Sequence, residues 1–560
     1  MKIIKGSLAF TLAFLISVSL TSGLQLTAST GGNDGSSSTT VLYGATVNDY
    51  AYESVGLNPD AATLAKSGSG TGNLLFSSLS QTDAKGNSVS VSRSVYGTSA
   101  ATTWNYDWWT YYPYSATAGY GVGAWMTLTA SNAYQIYGKG SSSNTEGDVA
   151  GAYMMVGSSS PYTTSSLIGY SINPTAFTNE ARVYQNAISA TSTGPIIAYG
   201  ASNNNAGDYT VSSLYANKGT VITPKTNVYA GKTSSWSYPS ASSIQTTGYA
   251  RLYASASNSE GDSSEFRLDL TNGKVLAPYF YGWAGTSTVV ASTAASTIPT
   301  IRYAETWGKV SNAYGTSVKI TTKGLDKAVG YQEYLVKTKV KNGEGYFAAQ
   351  KTNNAQFGTV SVKTKSTKDD VVISTDGFGA NTALILDPFY WKYVTKTGAK
   401  DIKDTVVNSL LKKGYAVTYY RDSAVSKDIV KQMDEYKVSA IHTDTTTNTL
   451  ALSKSSDGTN ADTMTAAELK AAYTNSNGMA LIFGSNSFKS TAAGTWADAI
   501  SNAKVRGGTT RNWAITFGRT FINRFFTKMG DGYTANNANT YAMGTSGAKL
   551  LLLGNTGFKL

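Results

Sequence analysis

The chain has 560 residues, 46 Lys and Arg against 34 Asp and Glu, no cysteine and a single histidine, His442. Those absences exclude thiolate nucleophiles, iron–sulfur ligation, disulfide stapling and any metal cage rich in Cys or His. Carboxylates, hydroxyls, amines and phenols remain, and stability has to come from burial and hydrogen bonding in a chain long enough for more than one domain.

The excess positive charge is uneven. Residues 24–300 carry 11 Lys and Arg against 14 Asp and Glu, whereas residues 301–560 carry 33 against 20. A basic second part could dock on an acidic polymer or on lipid headgroups, although lysines scattered along strands and helices usually mark a solvated face.

Residues 1–23 read as a secretory signal: Lys2 and Lys5 precede an apolar run from Leu8 to Leu20, which ends in Thr21, Ser22 and Gly23. The run is too short to span a bilayer. The mature chain is expected to be extracellular, within the cell envelope, with no membrane span once the signal is removed. A flexible polar segment is expected over 24–40. Every Asn but one lacks Ser or Thr two places on, and at that one, Asn173, Pro174 blocks the acceptor. A surface kept free of N-linked sugar suits faces that meet other polypeptides.

Residues 41–365 read as an antiparallel all-β region built from hairpin repeats. In NSVSVSRSVYG, Val89, Val91 and Val95 alternate with serines, and further on Asn342-Gly343 gives a tight hairpin turn. The stretch TTWNYDWWTYYPYS holds Trp104, Tyr106, Trp108, Trp109, Tyr111, Tyr112 and Tyr114. On a strand the Trp108–Trp109 doublet puts an indole on each face, so one set is left for a partner. Three readings compete for it: burial against a second copy, stacking on a sugar, and packing within the chain.

A motif repeats along this region: YGKGSSSNTEGD from Tyr137, YGASNNNAGD from Tyr199 and YASASNSEGD from Tyr253. Asp148, Asp208 and Asp262, with Glu146 and Glu260, are oxygen ligands of the type calcium takes. The ligand count per loop is low, and turn chemistry is the favoured reading. No cofactor is expected.

Beyond KTKSTKDD, residues 371–560 alternate strand and helix, which predicts an α/β domain with a mostly parallel sheet. TALILDP, AVTYY, VSAIHTDT, MALIFGS, NWAITFG and KLLLLG are the expected strands. Ile402, Val406, Val407, Leu410 and Leu411 form one helical face closed by Gly414, and Thr465 with Glu468 makes a capping box. A further helix is expected between Gly518 and Gly530.

This order, with ALIFGSNSF, WADAISNAKVRGG and FINRFFTKMGDGYTANNAN, resembles the caspase-like fold of clostripain-type and gingipain-type cysteine peptidases. The resemblance covers roughly residues 380–550. It implies a His after the third strand and a nucleophilic Cys after the fourth. Here Ser485 stands at the nucleophile's place, His442 or Asp444 near the base, and Thr443 where a Gly normally follows the His. A vestigial site without catalysis is the resulting expectation, since a serine needs a well-placed base.

In its signal, its Tyr-, Gly-, Ser- and Asn-rich β region, its lack of cysteine and its size, the chain resembles the sheath and surface-layer proteins of methanogenic archaea. That resemblance implies a structural protein that self-assembles through strand edges and aromatic contacts, with itself as main partner and a surface polymer or glycan as a further one. Nucleic acid is not expected as a partner. An adhesin or carbohydrate-binding protein is the alternative, and a secreted peptidase-like protein the second alternative.

Overall fold

A computed structural model describes residues 28–31, 37–47, 52–58, 61–71, 74–82, 88–97, 103–113, 121–157, 165–177, 180–222, 224–285, 288–297, 303–325, 331–340, 343–352, 359–365, 368–376, 378–379, 381–454 and 461–560, with side chains mainly from residue 137 onward. The expected signal, 1–23, lies outside the described residues. The protein is mostly β and divides into two compact units, residues 1–279 and 280–560. The boundary expected at 365–371 falls inside the second unit.

The first unit is a run of antiparallel hairpins. Even within 24–40, Ala28–Gly31 pairs with Ser37–Val47, because Ser- and Thr-rich backbone can form a ladder without apolar side chains. Long strands serve several ladders each. Glu180–Asn203 pairs through its second half with Tyr209–Ile222 and through residues 180–186 with Lys225–Gly231. Its two ends face each other across two layers, where Ser202 Oγ donates to Arg182 O at 2.8 Å.

Met154, Val156, Val183, Ile196, Leu214, Val228, Leu252, Phe266 and Leu268 lie buried between these layers, with many small residues among them. Ala150, Ala152, Ala181, Ala198, Ala216, Ala230, Ala250, Ala254 and Ala256 are buried, together with Ser202, Thr210, Ser212, Ser235, Ser237 and Ser264. Buried hydroxyls pair across strands, Ser202 with Thr210 at 2.6 Å and Ser237 with Ser264 at 2.5 Å. These bonds offset the cost of burying a hydroxyl, a cost that Thr226 Oγ1 and Ser235 Oγ, without a hydrogen-bond partner among the described residues, leave uncompensated.

The second unit contains a mixed sheet. Tyr303–Ser311, Ser317–Leu325, Tyr331–Val340 and Gly343–Thr352 form an antiparallel meander. Its last strand pairs antiparallel with Ala416–Asp422. From there the sheet runs parallel through Thr382–Asp387, Val438–His442, Met479–Phe483 and Val505–Gly508. Leu551–Gly554 closes it antiparallel. The helical face Ile402, Val406, Val407, Leu410 packs with Phe521, Phe525 and Phe526 against the parallel strands. The capping box forms, Glu468 N donating to Thr465 Oγ1 at 3.2 Å and Thr465 N to Glu468 Oε2 at 2.7 Å.

The strand expected over NWAITFG is absent: that segment enters the helix Ile515–Gly530, and Val505–Gly508 is the strand. Phe517, Phe521 and Phe525 recur every fourth residue, with ring centroids 6.2 and 6.3 Å apart, and this periodicity overrides the β-prone residues before Gly518. Gly507 and Gly508 look like a break in the sequence. In the sheet, a Cβ at either position would meet Leu552 or Phe488, so the strand there has to be glycine.

Candidate functional site

Three features carry polar or aromatic side chains in an ordered arrangement. The first is the repeated loop. In Asn144–Asp148, Asn204–Asp208 and Asn258–Asp262 the Asn amide donates to the Asp carboxylate at 2.8, 2.9 and 3.1 Å. The Asp N–H returns to the Asn Oδ1 at 2.9, 2.8 and 2.8 Å. Each loop needs a glycine at positive φ, 97° at Gly147, 89° at Gly207 and 97° at Gly261.

Successive loops interlock. Asp148 Oδ1 accepts from Asn205 N at 3.0 Å, and Asp208 Oδ1 accepts from Ser259 N at 3.0 Å. These carboxylates are thus held by an amide and a neighbouring loop, and no group of three or more His, Cys, Asp or Glu that could hold a metal occurs among the described residues. Glu146 and Glu260 lie exposed beside them. The second unit holds a fourth loop that the sequence reading did not identify: Gly315 N donates to Asn312 O at 3.1 Å and Thr316 N to Asn312 Oδ1 at 3.1 Å. Trp307 stands five places before Asn312, as Tyr199 and Tyr253 do before Asn204 and Asn258. Trp for Tyr and Thr for Asp hid this copy.

The second feature is the outward side of the first unit. Strand register lines up Lys139, Tyr153, Tyr199, Ser213, Tyr253 and Arg267 in one row, and Tyr137, Met155, Ile197, Tyr215, Arg251 and Asp269 in the next. Tyr137 and Tyr153 meet edge to face at 5.6 Å. Nearby, Tyr199 and Tyr209 are each 38% exposed. Burial and the neighbouring Tyr199 push the Tyr209 phenol up to about 12, so it stays a neutral donor. The row ends in a charged clasp, with Asp269 bound by Arg251 at 2.7 Å and Arg267 at 2.8 Å.

The other layer repeats the scheme. Arg182 lies over Tyr229 at 5.3 Å, Tyr229 stacks on Trp236 at 5.7 Å, and Tyr238 meets Tyr279 at 5.3 Å. Tyrosines therefore line the outward side of both layers, while Met154, Ile196, Leu214, Leu252, Phe266 and Leu268 are buried on the inward side. The predicted aromatic stretch is a strand, Thr103–Pro113, paired on one side with Ala61–Thr71 and on the other with Gly121–Ser143. It is no sheet edge. The side chains of Trp104, Tyr106, Trp108, Trp109, Tyr111, Tyr112 and Tyr114 lie outside the described residues.

The third feature is the crevice at the carboxyl ends of the parallel strands. Thr382–Asp387 comes first in the chain but lies between the second strand, Ala416–Asp422, and the third, Val438–His442. This reversal of strand order is where open α/β sheets form ligand crevices. Asp387 and His442 end the two strands that flank it. The crevice is filled by Arg519, fully buried, whose Nη1 and Nη2 donate to the two oxygens of Asp387 at 2.9 and 2.8 Å. Its Nε donates to Lys400 O at 2.6 Å, and Tyr419 OH donates to Asp387 Oδ2 at 2.9 Å. Burial alone would raise the Asp387 carboxyl, but the guanidinium outweighs it and holds the group at about 2.

His442 is drawn into the same cluster. Its Nδ1 faces Arg519 Nη1 at 3.4 Å, and the Tyr393 ring covers it at 5.2 Å. Burial, with the guanidinium adding to it, keeps the imidazole below its ordinary value and neutral. Asp444 is bound elsewhere, by Tyr393 OH at 2.6 Å and Lys392 Nζ at 3.1 Å. Ser485 Oγ accepts from Trp513 N at 3.3 Å. No hydrogen bond joins His442 to Ser485 among the described residues. Tyr393 thus links His442 and Asp444, its ring against one and its hydroxyl on the other, while Ser485 is tied to the Trp513 backbone.

Asp387 and Arg519 escaped the sequence reading. The only signal was a lone carboxylate ending the apolar run ALIL and a lone guanidinium on the buried face of a helix 132 residues away. Set against known proteins, the chain matches no family model and no curated sequence.

Proposed function

We propose that this is a structural protein of the cell surface which assembles with copies of itself through the outward aromatic faces of its first unit. The observation that carries this is the outward register of tyrosines: Tyr153, Tyr199 and Tyr253 fall in one row, with Tyr137 and Tyr215 in the next. Faces bearing Tyr, Met and Ile, bounded by Arg and Lys, resemble interface cores in composition. A location outside the cell is part of the proposal, supported by Lys2 and Lys5 before the apolar run Leu8 to Leu20.

Faces are better candidates for assembly than edges. At the Leu551–Gly554 edge, the Asn539 amide donates to Leu550 O and accepts from Leu550 N, both at 3.0 Å. A side chain there takes the bonds a neighbouring strand would make. In this reading the second unit is a scaffold of caspase-like descent whose strand-end crevice is closed by its own Arg519, and no substrate is turned over.

The test is negative-stain microscopy and sedimentation of the purified chain, alongside a Tyr199→Ser/Tyr253→Ser variant. Sheets or tubes with a regular repeat are expected, with the assembled fraction falling at least tenfold in the variant at unchanged circular dichroism. Dispersed monomers across salt and pH would overturn the reading, and peptide hydrolysis abolished by Ser485→Ala would replace it with an enzyme.

A further inference from the structure

We propose that the antiparallel part of the second unit binds an acidic polysaccharide along a row of lysines. Lys309, Lys319 and Lys337 are direct partners across three adjacent strands, Lys309 opposite Lys319 and Lys319 opposite Lys337. All three are exposed on one face. Like charges directly opposite each other destabilise a sheet, so this placement is a cost to the fold. Among the described residues none of the three has an ion-pair partner. The nearby carboxylates are engaged: Glu344 binds Arg421 at 2.6 Å and Asp404 binds Lys403 at 3.4 Å. Positive charge continues on both sides of the row, with Lys339 exposed two places along its strand and Lys403 over the Tyr346 ring at 5.2 Å, where Tyr346 is the register partner of Lys337.

The geometry selects the ligand. The row runs across the strands, so its charges recur at the interstrand step of about 4.8 Å. A linear polymer with one anion per monomer matches a line of charge. A lipid surface would meet a plane of positive charge, yet one flanking row runs Ser311, Ser317, Lys339 and Glu344, where the two charges cancel, and the other runs Trp307, Thr321 and Leu335, which carry none. Single-stranded nucleic acid takes a succession of stacking rings. Here the rings at the row are Trp307, which already lies 5.7 Å beneath Lys319, and Tyr346, which Lys403 covers at 5.2 Å. Serine hydroxyls and one indole beside ammonium groups suit sugar rings bearing carboxylates.

This inference stands apart from self-assembly, and the test separates the two. The full chain is titrated by calorimetry with polygalacturonate, and in parallel with neutral dextran, single-stranded DNA and phosphatidylserine vesicles. Polygalacturonate should bind with an affinity that falls with salt, as displaced counterions require. Lys319→Gln/Lys337→Gln should weaken it at least tenfold, Lys319→Arg/Lys337→Arg should restore most of it, and Lys431→Gln/Lys470→Gln, at lysines already paired with Asp428 and Asp498, should change nothing. The Tyr199→Ser/Tyr253→Ser variant should bind as the wild type does. Unchanged affinity in the Gln pair, equal binding of dextran, or tighter binding of DNA or vesicles would each overturn the proposal.

Discussion

Replacing Arg519 with Met would cut the buried cluster at its centre. Methionine fills much of the same space but leaves the Asp387 carboxylate enclosed, with only the Tyr419 hydroxyl still donating to it at 2.9 Å. Removing one partner of a buried pair costs about 3–5 kcal/mol. A second route gives the same order: the carboxyl is held at about 2 against 3.8, and at about 1.4 kcal/mol per unit this is on the order of 2 kcal/mol. That contribution is present above the unfolded value and lost as pH falls through the folded one. His442 is the reporter, because its Nδ1 lies 3.9 Å from Asp387 Oδ1 and the guanidinium stands between them in charge. Without Arg519 the imidazole pairs with the carboxylate and its pKa rises. In the wild type, a depressed His442 adds stability as pH rises past its unfolded value. In the variant, a raised one loses it as pH rises through its folded value, so the deficit of the variant grows as pH rises through the imidazole range. Urea unfolding measures the deficit, and proton NMR follows the imidazole without ambiguity because the chain has one histidine. A loss below about 1 kcal/mol with an unmoved His442 titration would refute the reasoning. The double replacement Arg519→Met/Asp387→Leu should recover most of the loss, since nothing charged is then buried.

Other outcomes follow from the same geometry. Asp208→Ala removes the acceptor of Asn204 Nδ2 and Ser259 N and should cost about 1–3 kcal/mol in urea unfolding, while calcium leaves the melting temperature of the wild type unchanged. Asp422, which accepts from Trp391 N at 2.9 Å, is pushed up by burial to about 7. Its contribution is full below the unfolded value and lost as pH rises to the folded one, so Asp422→Asn should raise stability at alkaline pH and leave it near wild type in acid. Lys319→Gln should raise the melting temperature at low salt by relieving Lys309 and Lys337, and the gain should vanish at high salt.

Much of the fold was legible because local patterns carry it. Alternation of Val with Ser marked the strands, the helical spacing of Ile402, Val406 and Leu410 marked a buried face, and Thr465 with Glu468 marked a helix start, each within a few residues of chain. The segment before Gly518 was misread because a β-prone tetrapeptide was weighed without the phenylalanines that follow it. The mixed sheet was not legible either: the pairing of Gly343–Thr352 with Ala416–Asp422 joins segments some seventy residues apart, and register over that distance leaves no periodic trace.

By itself the sequence determined what chemistry is possible: without cysteine and with one histidine, the chain had to be held by hydroxyls, amides and packing. It also determined the spacing of its loops, through Asn, Gly and Asp at fixed offsets. Only the tertiary structure decided which way the tyrosines face, because alternation assigns residues to two sides without saying which side is covered. It alone brought Asp387, His442 and Arg519 together and set three lysines in line. Contacts of that kind depend on how distant strands pair and where a helix packs, and those choices are made by the free energy of the whole fold.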